Sequence, residues 1–263
     1  MREIGINIGA HKEMDLPTYC AHIRELGFTR VFSGSTDPDK VRRQAERVAA
    51  AGLRYDTLHA PFKGIMNAIW GEGDEGEDTL RQFMTCVDLC AEVAAPIAVV
   101  HLSAGENAPP PTDTGRSRFI RLVDHAVGKG VKIAFENQRK LANIAWAFEE
   151  FRDVPEVGFC WDCGHEGCFT PGRRYMPLFG HRLICTHLHD NEGIFDKDSH
   201  LIPFDGALDF GYVAEALRGA DPTVPLVLEL KRKSAPYEDM SDEDYLARAA
   251  AAVKRLRDMI GEA

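Results

Sequence analysis

The stretch GFCWDCGHEGCF, residues 158–169, starts as an apolar, strand-like run and breaks at Gly164. Within four residues it presents Asp162 and His165, with Cys160, Cys163 and Cys168 close by. A carboxylate and an imidazole at the C-terminal end of a buried strand are donors suited to a metal or catalytic site. The question is what the rest of the chain adds to them.

Working outward, apolar runs of strand length recur at 2–8, 29–34, 55–62, 96–103, 131–137, 157–162, 183–190 and 225–230. Helical spacing fills the gaps between them. One helix spans 16–26 and is closed by Gly27; another runs 38–51, with Asp37 as N-cap, Pro38 in the first turn and Gly52 as the stop. An acidic loop, GEGDEGED (71–78), precedes a helix to about Ala95, and a proline-rich loop (104–115) precedes one to Val127. Further helices are expected at 141–151, weakly around 173–180, at 209–219 and at 242–259, where Ser241 and Asp244 form a capping box. The polar segment 191–206 has no regular period and is expected to be a site loop. Eight strand–helix units without an internal linker predict an α/β fold, a single (β/α)8 TIM barrel covering residues 1–263 as one domain. A doubly wound dinucleotide fold would carry a glycine fingerprint after its first strand, and GINIGA lacks that spacing.

Composition narrows the function classes. Hydrophobic residues make up 44% of the 263, enough for a sizeable core. A net charge of −10, from 41 acidic and 31 basic residues, argues against a protein that coats nucleic acid, because such binding rests on Lys and Arg. The first thirty residues show no signal pattern and no apolar run approaches a membrane span, so a cytoplasmic protein with no membrane partner is expected. Seven cysteines, an odd count, fit reduced thiols better than a disulfide framework. The lone CxxC encloses Asp162 and has no second CxxC to complete a structural zinc site.

A barrel strand buried on both faces should be apolar to its tip. Six consecutive expected strands break that rule at their C-terminal ends, with His59, His101, Glu136, Asp162, His187 and Glu229. Any one alone reads as a hydrogen-bonded structural residue, but six converge on one mouth, where unpaired buried charge is costly. Three carboxylates together need a cation or shared protons. Mixed imidazole and carboxylate donors suit zinc or manganese, with cobalt, iron or magnesium as further candidates. His165 follows Asp162 by three residues, and Asp198 with His200 in the polar loop could close over the mouth. His189 shares the face of His187 by strand alternation, and Arg139 and Lys231 could meet a phosphate or carboxylate. Phe62 and Trp70 are candidate pocket walls, and His11 could line the mouth after the first strand.

These residues carry a resemblance. LHAPF around His59, VVHLS around His101, AFEN around Glu136, CWDCGH, THLHDN, DSH at 198–200 and LEL around Glu229 together resemble the xylose-isomerase-like TIM-barrel superfamily. The PFKG…NAIW stretch and PFDG are similar to its sugar isomerase and epimerase branch. For epimerase-type members the resemblance implies one divalent metal on Glu136, Asp162, His187 and Glu229. It also implies that the two glutamates exchange a proton with the substrate carbon through an enediolate, while His165 contacts substrate oxygens. The ketose epimerases place an arginine shortly after the strand-seven histidine, and NEGIFD stands there instead.

Endonuclease IV-type members use nine ligands for a zinc cluster, and all nine have counterparts: His59, His101, Glu136, Asp162, His165, His187, Asp198, His200 and Glu229. One to three ions are therefore expected. The loops depart from the nuclease pattern, with Phe62 replacing a tyrosine, Asn67 out of step, and an acidic run where a phosphate backbone would lie. The expected substrate is a small sugar, polyol or sugar phosphate. A nucleic-acid phosphodiester ranks second, and an inosose-dehydratase-type lyase is a further alternative. A degenerate barrel that only binds a sugar or partner should have lost ligands, and this chain keeps them. Relatives of this kind are commonly dimers or tetramers, so the resemblance implies a homodimer or homotetramer.

Overall fold

A computed structural model describes residues 1–34, 37–62, 66–232 and 235–261. Eight strands, β1 (Ile4–Asn7), β2 (Arg30–Gly34), β3 (Arg54–His59), β4 (Ile97–His101), β5 (Lys132–Glu136), β6 (Val157–Asp162), β7 (Leu183–His187) and β8 (Leu226–Leu228), form one sheet in the order β7-β6-β5-β4-β3-β2-β1-β8. The registers of β1 with β2 and β8, and of β3 through β6, are all parallel, and a Leu188–Leu228 bridge joins the ends of β7 and β8. Helices α1 (Leu16–Glu25), α2 (Pro38–Ala50), α3 (Asp74–Glu92), α4 (Asp113–Lys129), α5 (Leu141–Glu150), α6 (Cys163–Phe169), α7 (Met176–Phe179), α8 (Phe210–Arg218) and α9 (Asp242–Ile260) alternate with them. This is the (β/α)8 TIM barrel expected from the strand pattern. Among the described residues no helix is long and apolar enough to cross a membrane.

Backbone proximity groups the chain into two compact units, one of Gly34–Arg43 and Tyr55–Cys160, the other of Met1–Ser33, Gln44–Arg54 and Trp161–Ala263. In the first, β4 is buried along its whole length, as its unbroken IAVV run demands. Trp70 is 2% exposed, donates its indole N–H to the Leu102 carbonyl at 2.7 Å, and packs on Phe119 and Trp146. It belongs to the core, not to a pocket wall. The acidic run expected as a loop over 71–78 instead starts α3 at Asp74. Asp74, Glu75 and Glu77 sit in the first turn, where the helix dipole favours negative charge. The buried Arg118 binds Glu77 at 2.9 Å and the carbonyls of Ile69, Gly71 and Gly73. Gly76 leaves room for it, since a Cβ there would lie 2.2 Å from the guanidinium.

In the second unit the helix ends are closed by side chains. Asp209 caps α8, Ser241 caps α9 by accepting the Asp244 N–H at 3.0 Å, and buried Arg2 donates to the Leu217 and Ala220 carbonyls that end α8. The helix expected around 173–180 shrinks to α7, while α6 follows β6 directly. Its cap is Asp162 itself, which accepts the His165 N–H at 2.6 Å, so a strand-end carboxylate also starts a helix. Gly164 therefore does not break the chain. A Cβ there would lie 1.9 Å from the His189 ring, so its smallness admits an imidazole.

The segment after β7 is irregular, as expected, but firmly held. Buried Asp190 accepts N–H groups of Asn191, Gly206 and Leu208 at 2.8, 2.9 and 3.0 Å, and pairs through its backbone with Leu201. Asn191 donates to the Gly164 carbonyl and accepts from Gly193, and a Cβ on Gly206 would collide with the Asn191 carbonyl at 2.3 Å.

Two outcomes follow from this packing. Trp70→Ala should lower unfolding free energy by about 3–5 kcal/mol in a urea titration, whereas a pocket wall would leave the midpoint nearly in place. Asp190→Asn removes an acceptor from a three-donor site, and amide exchange at Gly206 and Leu208 should quicken about tenfold, while exchange in α4 stays unchanged.

Candidate metal centre

In the Gly34–Arg43 and Tyr55–Cys160 unit, strand alternation brings three donors to one face. His101 pairs in register with Glu136, and His59 pairs with Val99, two residues before His101. Each of the three ends its strand and is buried. His59 Nε2, His101 Nε2 and Glu136 Oε2 make a triangle whose edges are all 3.1 Å. His59 Nδ1 lies 2.7 Å from the Ala60 carbonyl, which can only accept, so that nitrogen carries the proton. His59 Nε2 is then a lone pair turned toward the other two atoms.

Either a shared proton or a cation satisfies this triangle. If His101 Nε2 is protonated, it can serve only one of the two facing acceptors, and it opposes the amide of Gln138 at 3.2 Å. If it is bare, it faces the Glu136 oxygen acceptor to acceptor. A cation at the centre turns all three lone pairs into bonds. The 3.1 Å edge lies between the ligand separations of about 3.0 and 3.4 Å that bonds of about 2.1 Å give at octahedral and tetrahedral angles. The residues fit a divalent metal, and the His59–Ala60 contact is the carbonyl support typical of a ligating imidazole. Phe62, 42% exposed, packs at 5.0 Å on both His59 and His101.

The other unit gathers a second set. His165, His189, Asp198 and His200 each offer a donor atom within 4.8 Å of the others. His200 Nδ1 faces the Glu229 carbonyl at 3.0 Å, leaving its Nε2 2.7 Å from Asp198 Oδ2. His189 is fully buried, stacks on His200 at 4.0 Å and reaches both Asp162 oxygens at 3.1 and 3.2 Å. His165 Nδ1 stands 3.5 Å from Asp162 and its ring stacks on Phe169. His200 adopts φ +48°, a left-handed backbone that a non-glycine residue holds only under constraint from its surroundings. At the ends of β7 and β8, His187 Nδ1 meets Glu229 Oε2 at 3.1 Å and its ring stacks on Phe32 at 4.6 Å.

Charge follows this geometry. Burial opposes ionisation of Asp198, yet hydrogen bonds from His165 and His200 hold its carboxyl well below the usual range. Burial likewise disfavours the charged form of His189, but the Asp162 carboxylate, with Asp198 behind it, raises its pKa above the ordinary value. Burial pushes the Cys163 thiol up, and all seven cysteines are free and buried.

Of the remaining candidates, Lys231 donates to the Asp198 carbonyl at 3.0 Å, which makes it a support of the loop at an exposed rim. Arg139 is half-buried, three residues beyond Glu136. His11 packs on Tyr19 at 4.7 Å. The PFKG motif runs into residues 63–65, outside the described residues. Sequence reasoning missed Gln138 and Glu166. Glu166 is buried and accepts from Trp161, the Tyr175 N–H and Arg174, tying α6 to the segment behind it. Its only sequence signal was an acid one place after His165; Gln138's was strand alternation beyond Glu136.

Comparison with known proteins agrees with this architecture. A Sinorhizobium fredii protein, called the uncharacterized protein y4fM, is 29% identical over 284 residues, covering 92% of this chain and 88% of that one. The D-psicose 3-epimerase of Clostridium cellulolyticum superposes with a TM-score of 0.75 at 14% identity, over 99% of each chain. The 3-keto-D-glucoside 4-epimerase YcjR of E. coli superposes with a TM-score of 0.70 at 19% identity, over 98% of this chain and all of its own. At those identities the superpositions speak to the fold. Residues 20–258 match a family as a whole, and the chain belongs to the xylose isomerase-like TIM barrel family.

Proposed function

We propose that the chain is a divalent-metal-dependent isomerase or epimerase of a small sugar, polyol or sugar phosphate, with Glu136 and Glu229 as acid and base. The carrying observation is that each of these carboxylates lies 3.1 Å from a strand-end imidazole, Glu136 from His59 and His101, Glu229 from His187. As the resemblance to epimerase-type members implies, Glu136, Asp162, His187 and Glu229 would hold the ion, each at or just past the end of its own strand, the common place for barrel chemistry. The names of the structural relatives, epimerases of D-psicose and of a 3-keto-D-glucoside, support a sugar as substrate.

Bound there, a divalent ion supplies Lewis acidity that acidifies a C–H beside a carbonyl. One glutamate takes that proton, and the C–H electron pair becomes the C=C of an enediolate. The other glutamate returns a proton, to the opposite face in an epimerisation or to the neighbouring carbon in an isomerisation. His165 and His189 would hydrogen-bond substrate oxygens. Arg139 and Lys231 are the candidates to meet a phosphate.

One observation favours the nuclease-like reading, a multi-ion phosphodiester hydrolase: the donors of His165, His189, Asp198 and His200 form a set of their own. Against it stands the acidic first turn of α3, a poor surface for a phosphate backbone. Metal analysis of protein purified without chelator separates the two. At least one equivalent is expected; a value near one favours isomerase chemistry, and two to three favours hydrolysis. No metal, with activity indifferent to chelators, would sink both. For the acid–base pair, Glu136→Gln and Glu229→Gln should each slow exchange of the D-psicose C–H with deuterated solvent by at least about 100-fold, and retained exchange removes that glutamate from the role.

A further inference from the structure

Asp162 is the buried carboxylate that ends β6, and N–H groups converge on it from its own unit. The backbone N–H of His165 donates to its Oδ1 at 2.6 Å. His189 Nε2 lies 3.1 Å from Oδ1 and 3.2 Å from Oδ2, so one ring nitrogen spans both oxygens. An ionised carboxylate only accepts, which puts a hydrogen on that nitrogen. A carboxylate has about four lone-pair sites and can serve such donors and an ion together.

The His189 ring is itself fixed. Leu188 before it donates its N–H to the Val227 carbonyl, and Asp190 after it exchanges backbone bonds with Leu201, all at 2.8 Å. The Cys163 thiol donates to the His189 carbonyl at 3.3 Å. One ring face stacks on His200 at 4.0 Å, with 13° between the planes, and the Cε1 edge occupies the space that a Cβ on residue 164 would need. Any side chain at 164 would displace the ring. A fully buried imidazole under these constraints has little freedom to follow a substrate, but it is well suited to hold a neighbouring carboxylate in one orientation.

We propose that His189 is a positioning residue: its Nε2–H fixes the Asp162 carboxylate in the orientation in which it meets the ion, and position 164 is glycine so that the ring can reach it. This rests on the metal-dependent reading above, in which Asp162 is a ligand, and it commits that N–H to the ligand in place of a substrate oxygen.

The test is a titration of the full-length protein with Mn2+, followed by water-proton relaxation. His189→Leu should weaken Mn2+ binding about 10- to 100-fold at unchanged stoichiometry. His189→Gln keeps an amide N–H where the ring nitrogen stood and should bind Mn2+ about as well as the wild type. Gly164→Ala should cost as much as His189→Leu by pushing the ring aside, and the double variant no more than either alone, because both remove one contact. If the leucine variant does not fold, Gly164→Ala carries the same test, and adding His189→Gln, whose flexible amide clears the new methyl, should restore part of its loss. Unchanged Mn2+ affinity in His189→Leu or in Gly164→Ala overturns the proposal, as do losses that add in the double variant or a Gly164→Ala loss that the glutamine does not relieve. Equal losses in the leucine and glutamine variants would make the ring a packing element and overturn it as well. Loss of one whole equivalent of Mn2+, with the rest bound as before, would make His189 a ligand of its own ion, which also overturns it. A wild type that takes up neither Mn2+ nor Zn2+ overturns the metal-dependent reading itself, and the role of His189 falls with it.

Discussion

Lone pairs that face one another inside a protein are the constraint on which this site depends. His59, His101 and Glu136 are buried, and their donor atoms meet at 3.1 Å, close enough that a shared proton or a cation must lie among them. The donor set at this point is one that a divalent cation would satisfy, which is the part of the proposed function that metal analysis tests. The parallel strands supply the rigidity that holds the atoms there. Each donor ends a strand that is buried throughout in β4 and beyond the first residue in β3 and β5, which anchors the triangle in packed backbone.

The second set of donors is held by different means. His189, Asp198 and His200 come from irregular chain, where nothing regular fixes a side chain. Asp190 replaces the missing ladder, gathering three backbone N–H groups on one buried carboxylate, and Asn191 stitches the same segment to Gly164. Burial raises the Asp190 pKa, and those N–H groups oppose that shift, which is the balance expected of an acid placed for structure. Two glycines complete the arrangement by size: Gly164 yields space to His189 and Gly206 to the Asp190–Asn191 turn.

Much of this was legible in the chain. Strand ends could be read because a run such as IAVVH is apolar until its last residue, and a polar residue there has one place to point. Asp162 was legible for the same reason. Errors arose where a residue serves the tertiary structure in a way its local pattern does not reveal. GEGDEGED read as a loop from its glycines and charge, yet Gly76 is small for the sake of Arg118, and the acids answer a helix dipole. Gly164 read as a breaker, yet it opens α6 under the Asp162 cap. Trp70 read as a pocket wall because an aromatic residue near a site loop carries no sign of which side it packs on.

The sequence by itself determined the alternation of strands and helices, the barrel class and the identity of the strand-end donors, because these rest on local periodicity and on the rarity of polar residues in buried strands. Only the tertiary structure decided how those donors pair: which imidazole faces which carboxylate, that Lys231 meets Asp198, and that Gln138 approaches His101. Pairing depends on distances between residues far apart in the chain, to within a few tenths of an ångström. Residue type and spacing along one strand do not carry that information; the packing of neighbouring strands and loops does.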